Sequence, residues 1–159
     1  MRRAEIDIKT VSIKNTREVT TSHGITLLTD CVFEETDFSD ADMLVLPGGM
    51  PGTKYLGEYK PLTELLKSFY HKNGKVAAIC AAPSVFADLG FLEGRKATSY
   101  PSFMGKLKGA VLTEEPVAVD GNVTTSRGLG TAIDFALSLI GQLKGMEKAQ
   151  EIAESIVYF

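Results

Sequence analysis

The nine residues Lys75-Val76-Ala77-Ala78-Ile79-Cys80-Ala81-Ala82-Pro83 decide how the chain folds. Val76 to Ile79 is a short unbroken apolar run, the pattern of a strand covered on both faces of a parallel sheet. Pro83 suits the first turn of a helix, and Val85, Phe86 and Leu89 continue an apolar face up to a stop at Gly90. A strand that becomes a helix within three residues is the joint of an α/β fold, and it leaves Cys80 at the strand's carboxyl end.

Upstream of this joint, Met43-Leu44-Val45-Leu46 is a second buried strand, closed by the breaker cluster Pro47-Gly48-Gly49-Met50-Pro51-Gly52, which predicts a loop. Pro61 to Lys72 is a helix whose stripe is Leu62, Leu65, Leu66 and Phe69. Asp7 to Ile13 alternates polar and apolar residues and reads as a strand. Val19–Thr21 and Ile25–Leu28 are extended pieces around a turn at Ser22-His23-Gly24, and Cys31 falls in a polar connection.

Downstream, Lys96–Thr98 is a short extended piece. Val117–Val119 and Val123–Thr125 form a hairpin around Asp120-Gly121-Asn122. Gly128-Leu129-Gly130 opens a helix running to Leu143, and Met146 to Val157 is a last one. The alternation predicts one α/β domain over residues 1–159 with a mostly parallel sheet.

Composition narrows the function. The 159 residues are 44% hydrophobic and 23% charged, a globular balance, with a net charge of −3. No basic patch points to nucleic acid, and no apolar run approaches the ~20 residues of a membrane span. The first residues lead into no secretory signal, and two cysteines are too few for a disulfide framework, so the expected compartment is the reducing cytoplasm.

A lone cysteine is most often a small buried hydrophobe. Cys80 stands instead where ligands bind in open α/β sheets, at a strand's carboxyl end with a helix N-terminus behind it, and that setting favours a thiolate. Ala81 and Ala82 keep the turn uncrowded, so backbone N–H groups can approach an oxyanion, as in a serine nucleophile elbow. Leu46-Pro47-Gly48-Gly49 is a second glycine-bearing strand end that can face the same ligand.

These segments, with Thr125-Ser126-Arg127-Gly128-Leu129-Gly130-Thr131, occur in the same order in the ThiJ/PfpI superfamily, and the chain resembles its parkinsonism-associated deglycase branch and that branch's bacterial relatives. The resemblance spans essentially the whole chain. It implies a class I glutamine amidotransferase-like domain, a flavodoxin-like three-layer sandwich, usually homodimeric. It also implies a reactive Cys80, an oxyanion pocket from the amides of Gly49 and Ala81, and Arg3 near the substrate mouth, with Arg127 as a further anion contact. The implied activity is that of a glyoxalase or deglycase on methylglyoxal or its protein adducts. A redox sensor or chaperone using oxidised Cys80 is the alternative, and an amidase or peptidase a weaker one.

Two departures from the family pattern matter. Where the family often has a histidine before a proline, Tyr100 precedes Pro101. A phenol is protonated at neutral pH and cannot serve there as imidazole does, though it can donate a hydrogen bond. The family's glutamic acid partner for the cysteine would lie upstream of Met1, on a first strand and helix of roughly 25 residues. Without them, the strands at Asp7–Ile13 and Met43–Leu46 are expected to border an open slot, filled by an upstream segment or another chain.

The remaining candidates have plain readings. His23 at a turn and His71 near a helix end lack metal-ligand spacing, so no metal is expected. Glu34 and Glu35 belong to a solvated acidic loop. Gly128-Leu129-Gly130 lacks the full dinucleotide fingerprint and the phosphate-loop lysine, so no nucleotide cofactor is expected.

Overall fold

A computed structural model describes residues 1–158. In chain order the elements are β1 (Val11–Ser12), β2 (Glu18–Thr20), β3 (Thr26–Leu28), β4 (Cys31–Val32), β5 (Met43–Leu46), α1 (Gly52–Glu58), α2 (Lys60–His71), β6 (Lys75–Ile79) and α3 (Pro83–Asp88). They continue with β7 (Lys96–Ala97), β8 (Val111–Leu112), β9 (Val117–Asp120), β10 (Val123–Ser126), α4 (Ala132–Lys144) and α5 (Met146–Ser155).

The central sheet has the order β5-β6-β10-β9. β6 runs parallel to both β5 and β10, and β9 closes one edge antiparallel, through the hairpin its turn residues predict. Alternation along β6 sends Val76 and Ala78 to one face, where they join Leu62 and Leu66 of α2 and Val85 and Phe86 of α3. Ala77 and Ile79 go to the other face, against Phe135 and Leu139 of α4. Helices thus cover both faces of β6, which is why its apolar run is unbroken. α5 packs on α4 through Ala149 and Ile152, and Ala4 of the 3-10 turn Arg2–Ala4 joins that cluster.

Several expectations are corrected. The strands do not form one sheet: β1 pairs with β4, β2 with β3, and β7 with β8, each as a separate two-stranded unit. Most pairings are nevertheless parallel, because only β2–β3 and β9–β10 are hairpins. The strand expected over Asp7–Ile13 shrinks to Val11–Ser12, since its partner β4 offers only two residues. Cys31 sits in β4, not in a polar connection. The breaker cluster ends one residue early, and Gly52 opens α1. The helix after Gly128 begins with a 3-10 turn, Leu129–Thr131, before α4.

Among the described residues, β5 pairs only with β6 and β1 only with β4. Each therefore keeps one edge without a strand, and Val45 in the middle of β5 is 39% exposed. Among the described residues no helix is long and apolar enough to cross a membrane.

Candidate functional site

β6 delivers Cys80 to the carboxyl end of the central sheet, between its neighbours β5 and β10. The residue has φ +66, a left-handed conformation that costs a non-glycine residue about 1–3 kcal/mol and persists only where its surroundings hold it. They do so on both sides. Cys80 donates its N–H to the Ser126 carbonyl at 3.0 Å, and its own carbonyl accepts the Tyr100 N–H at 2.9 Å. Its thiol is free and half-buried.

The Pro-Gly-Gly loop is pressed onto this elbow. A Cβ on Gly48 would lie 2.5 Å from the Cβ of Cys80 and 2.8 Å from the Ile79 carbonyl oxygen, so only glycine allows the approach. Gly49 has φ +92, which glycine adopts without strain. The neighbouring peptide planes are pinned. The Gly49 carbonyl accepts the Thr53 N–H at 2.8 Å and the Thr53 hydroxyl at 3.0 Å. The Ala81 carbonyl accepts the Ser84 N–H at 3.1 Å and the Ser84 hydroxyl at 2.7 Å. Among the described residues, the N–H groups of Gly49 and Ala81 have no hydrogen-bond acceptor. Two uncommitted donors beside a held cysteine are what an oxyanion site needs.

The helix behind the thiol is shorter than its sequence pattern predicts. α3 spans six residues, under two turns, so its aligned dipoles are few. Individual N–H groups, more than a macrodipole, are what the elbow can offer an anion.

Tyr100 meets the elbow through its backbone. Its side chain is 49% exposed, and its ring lies against Gly128, where a Cβ would come within 3.4 Å. Arg127 directly follows the Ser126 that holds Cys80, and its guanidinium donates to the Glu114 carbonyl at 3.2 Å. The Ser126 hydroxyl bonds the Thr131 hydroxyl and the Pro116 carbonyl, both at 2.8 Å, and so ties this strand end to the start of α4. Cys80, Gly49, Ala81, Tyr100 and Arg127 thus belong to one end of the sheet. Arg3 is exposed on the Arg2–Ala4 turn, and among the described residues no hydrogen bond or ion pair joins it to the elbow.

Sequence reading missed Thr53, Ser84 and Ser22. The first two are hydroxyls one helical turn after a residue of the site, a signal visible only once α1 is known to start at Gly52. Ser22 reaches Gly49 from a distant hairpin, and no local pattern announces that. No group of three or more His, Cys, Asp and Glu side chains among the described residues is arranged to hold a metal.

Known proteins match most of this chain. The model of the DJ-1/PfpI family matches residues 1–142. Protein DJ-1 homolog B of Arabidopsis thaliana is 40% identical over 99% of this chain, which corresponds to 36% of that protein. The chain therefore spans about a third of that relative's length. Protein dj-1beta of Drosophila melanogaster is 37% identical over 99% of this chain and 85% of its own. The structure of oxidised Toxoplasma gondii DJ-1 superposes with a TM-score of 0.94 at 35% identity, over 99% of this chain and 86% of that one.

Proposed function

Because the chain belongs to the DJ-1/PfpI family, we propose that it is a stress-protective protein working through the Cys80 thiol as a glyoxalase or deglycase. Its substrates are small 2-oxoaldehydes such as methylglyoxal, or their early adducts on proteins. The observation that carries this reading is the strained, doubly held Cys80 beside the uncommitted N–H groups of Gly49 and Ala81.

In this reading the Cys80 thiolate Sγ adds to the aldehyde carbon of methylglyoxal. The carbonyl π pair moves to oxygen, and the oxyanion is held by the two N–H groups. A proton then moves from the former aldehyde carbon to the adjacent carbon through an enediol, leaving a thioester. Water cleaves the thioester, returns the thiol and releases lactate. The aldehyde carbon is oxidised and the ketone carbon reduced within one molecule, so the sum is methylglyoxal plus water giving lactate. Tyr100 can donate a hydrogen bond at the mouth, and Arg127 and Arg3 favour an anionic product.

The proton carrier in this scheme is a carboxylic acid on a strand–helix segment that occupies the free edges of β5 and β1 and completes a flavodoxin-like three-layer sandwich. The 39% exposure of Val45 in an apolar strand supports that placement. The working form is a cytoplasmic homodimer, and the exposed Ile25, Leu27 and Leu28 of the β2–β3 hairpin suit a second copy.

The test is lactate formation from methylglyoxal without added thiol. Cys80→Ser should lower it more than about 100-fold, and equal turnover by the variant eliminates the enzyme reading.

The second reading is a redox sensor, favoured by the half-buried free thiol and by the relative described as oxidised. Mild peroxide followed by mass spectrometry should oxidise Cys80 ahead of Cys31. The reverse order sinks it.

A further inference from the structure

α1 and α3 both begin at the elbow, α1 after the Pro-Gly-Gly loop and α3 after Cys80, and a groove of about 340 Å³ lies between them. The 3-10 turn Pro101–Lys106 closes its third side through Phe103 and Lys106. One end of the groove touches the site. Met50, which follows Gly49, lines it there. So do Thr53 and Ser84, whose hydroxyls lie 3.0 and 2.7 Å from the Gly49 and Ala81 carbonyl oxygens. The other end lies at Glu58 and Asp88, the last residues of the two helices. A glycine keeps the groove open. A Cβ on Gly57 would meet Val85 of α3 at 3.5 Å, an ordinary contact, so a side chain would fit there without strain and would suit α1 better than glycine does. Val85, Leu89 and Phe103 supply an apolar floor. On the rim Lys54 pairs with Glu58 at 3.8 Å. Asp88 and Lys106 have no ion-pair partner among the described residues, and Lys106 rests over the Phe103 ring at 4.6 Å.

A carboxylate that accepts and an ammonium that donates, above an apolar floor, match the N–H and C=O groups of a peptide main chain with an apolar side chain beneath it. Methylglyoxal is too small to use any of this. We propose that the groove seats the polypeptide flank of a protein adduct, with the modified side chain reaching Cys80 and its neighbours lying between α1 and α3. Asp88 accepts a main-chain N–H, Lys106 donates to a main-chain carbonyl, and an apolar side chain of the substrate fills the space over Gly57. The preferred substrates are therefore adducts on exposed, extended segments, ahead of the free 2-oxoaldehyde. This assignment rests on the reading of Cys80 as a reactive thiol.

The test separates the two. Cys80 in the intact protein is labelled with iodoacetamide and, separately, with acetyl-Leu-Lys-Leu-amide carrying an iodoacetyl group on its lysine amine. In both reactions the thiolate Sγ displaces iodide, and mass spectrometry follows the two rates. Gly57→Leu, which plugs the groove, should lower the peptide-to-iodoacetamide rate ratio about tenfold, the effect of excluding one apolar side chain. Gly57→Ala should lower it less, and Asp88→Ala about threefold, the effect of one hydrogen bond. The iodoacetamide rate should stay unchanged in all three, which a disturbance of the elbow would not give. A ratio indifferent to both Gly57 variants, with Cys80 still labelled by iodoacetamide faster than Cys31, overturns the role of the groove and leaves the function standing. Iodoacetamide labelling of Cys80 no faster than that of Cys31 overturns both.

Discussion

In the central pair β6 and β10 no residue is exposed, whereas in the hairpin β2–β3 five of six residues are. Both are regular sheet pairings with unbroken registers. The difference lies in what each must hold. β6 and β10 carry the left-handed Cys80 between them, and a strained residue keeps its geometry only if the surrounding packing cannot relax. The hairpin brings one contact, Ser22 on Gly49, and that needs position but little buried area. The molecule is rigid where it holds the thiol and open where a ligand or partner can approach.

The contrast can be broken most forcefully from the core. Phe86, fully buried behind the elbow in α3, should cost about 3–5 kcal/mol as Phe86→Ala. Glu18→Ala, at an exposed residue of the hairpin, should stay within about 0.5 kcal/mol. Urea unfolding of the two variants measures the gap, and similar losses would mean that the hairpin shares the core's burden.

A middle-sized effect is expected at the loop. Gly48→Ala places a methyl 2.5 Å from the Cβ of Cys80, against backbone as well as side chain. About 1–3 kcal/mol should be lost, and the alkylation rate of Cys80 should change as the loop moves off the thiol. Wild-type stability together with a wild-type alkylation rate would show that the loop does not bear on Cys80.

The smallest effect lies in the N-terminal region. Asp30 accepts the backbone N–H of Thr10 and then its hydroxyl, both at 2.7 Å, with Arg2 adding an ion pair at 2.5 Å. These hold its carboxyl below the ordinary value of 3.8 against some desolvation. Its contribution is therefore complete above pH 3.8 and fades as the pH falls through the lower folded value. Asp30→Asn should lower stability slightly near neutrality, and the deficit should close as the pH falls below 3.8, which flattens the acid limb of the unfolding curve. Superimposable acid limbs would remove Asp30 from the account.

What was legible in the chain follows a physical line. The unbroken apolar runs Met43–Leu46 and Val76–Ile79 could only be buried strands, and β5 and β6 cover them. The turn residues after Val119 forced the β9–β10 hairpin. Where local signals conflict, reading failed: Gly52 looks like a breaker but starts α1, because Thr53 can bond the Gly49 carbonyl. Cys31 looks like loop until β1 lies beside it.

From the residues alone came the α/β class, the position of Cys80 at a strand end, and the two glycines facing it, because periodicity, turn chemistry and breaker residues act over a few neighbours. Only the tertiary structure decided that Cys80 is left-handed, that Gly48 is required by space rather than by backbone angle, and that Ser22 stands against the loop. Those facts depend on contacts between segments twenty or more residues apart, and no local propensity encodes where distant backbones meet.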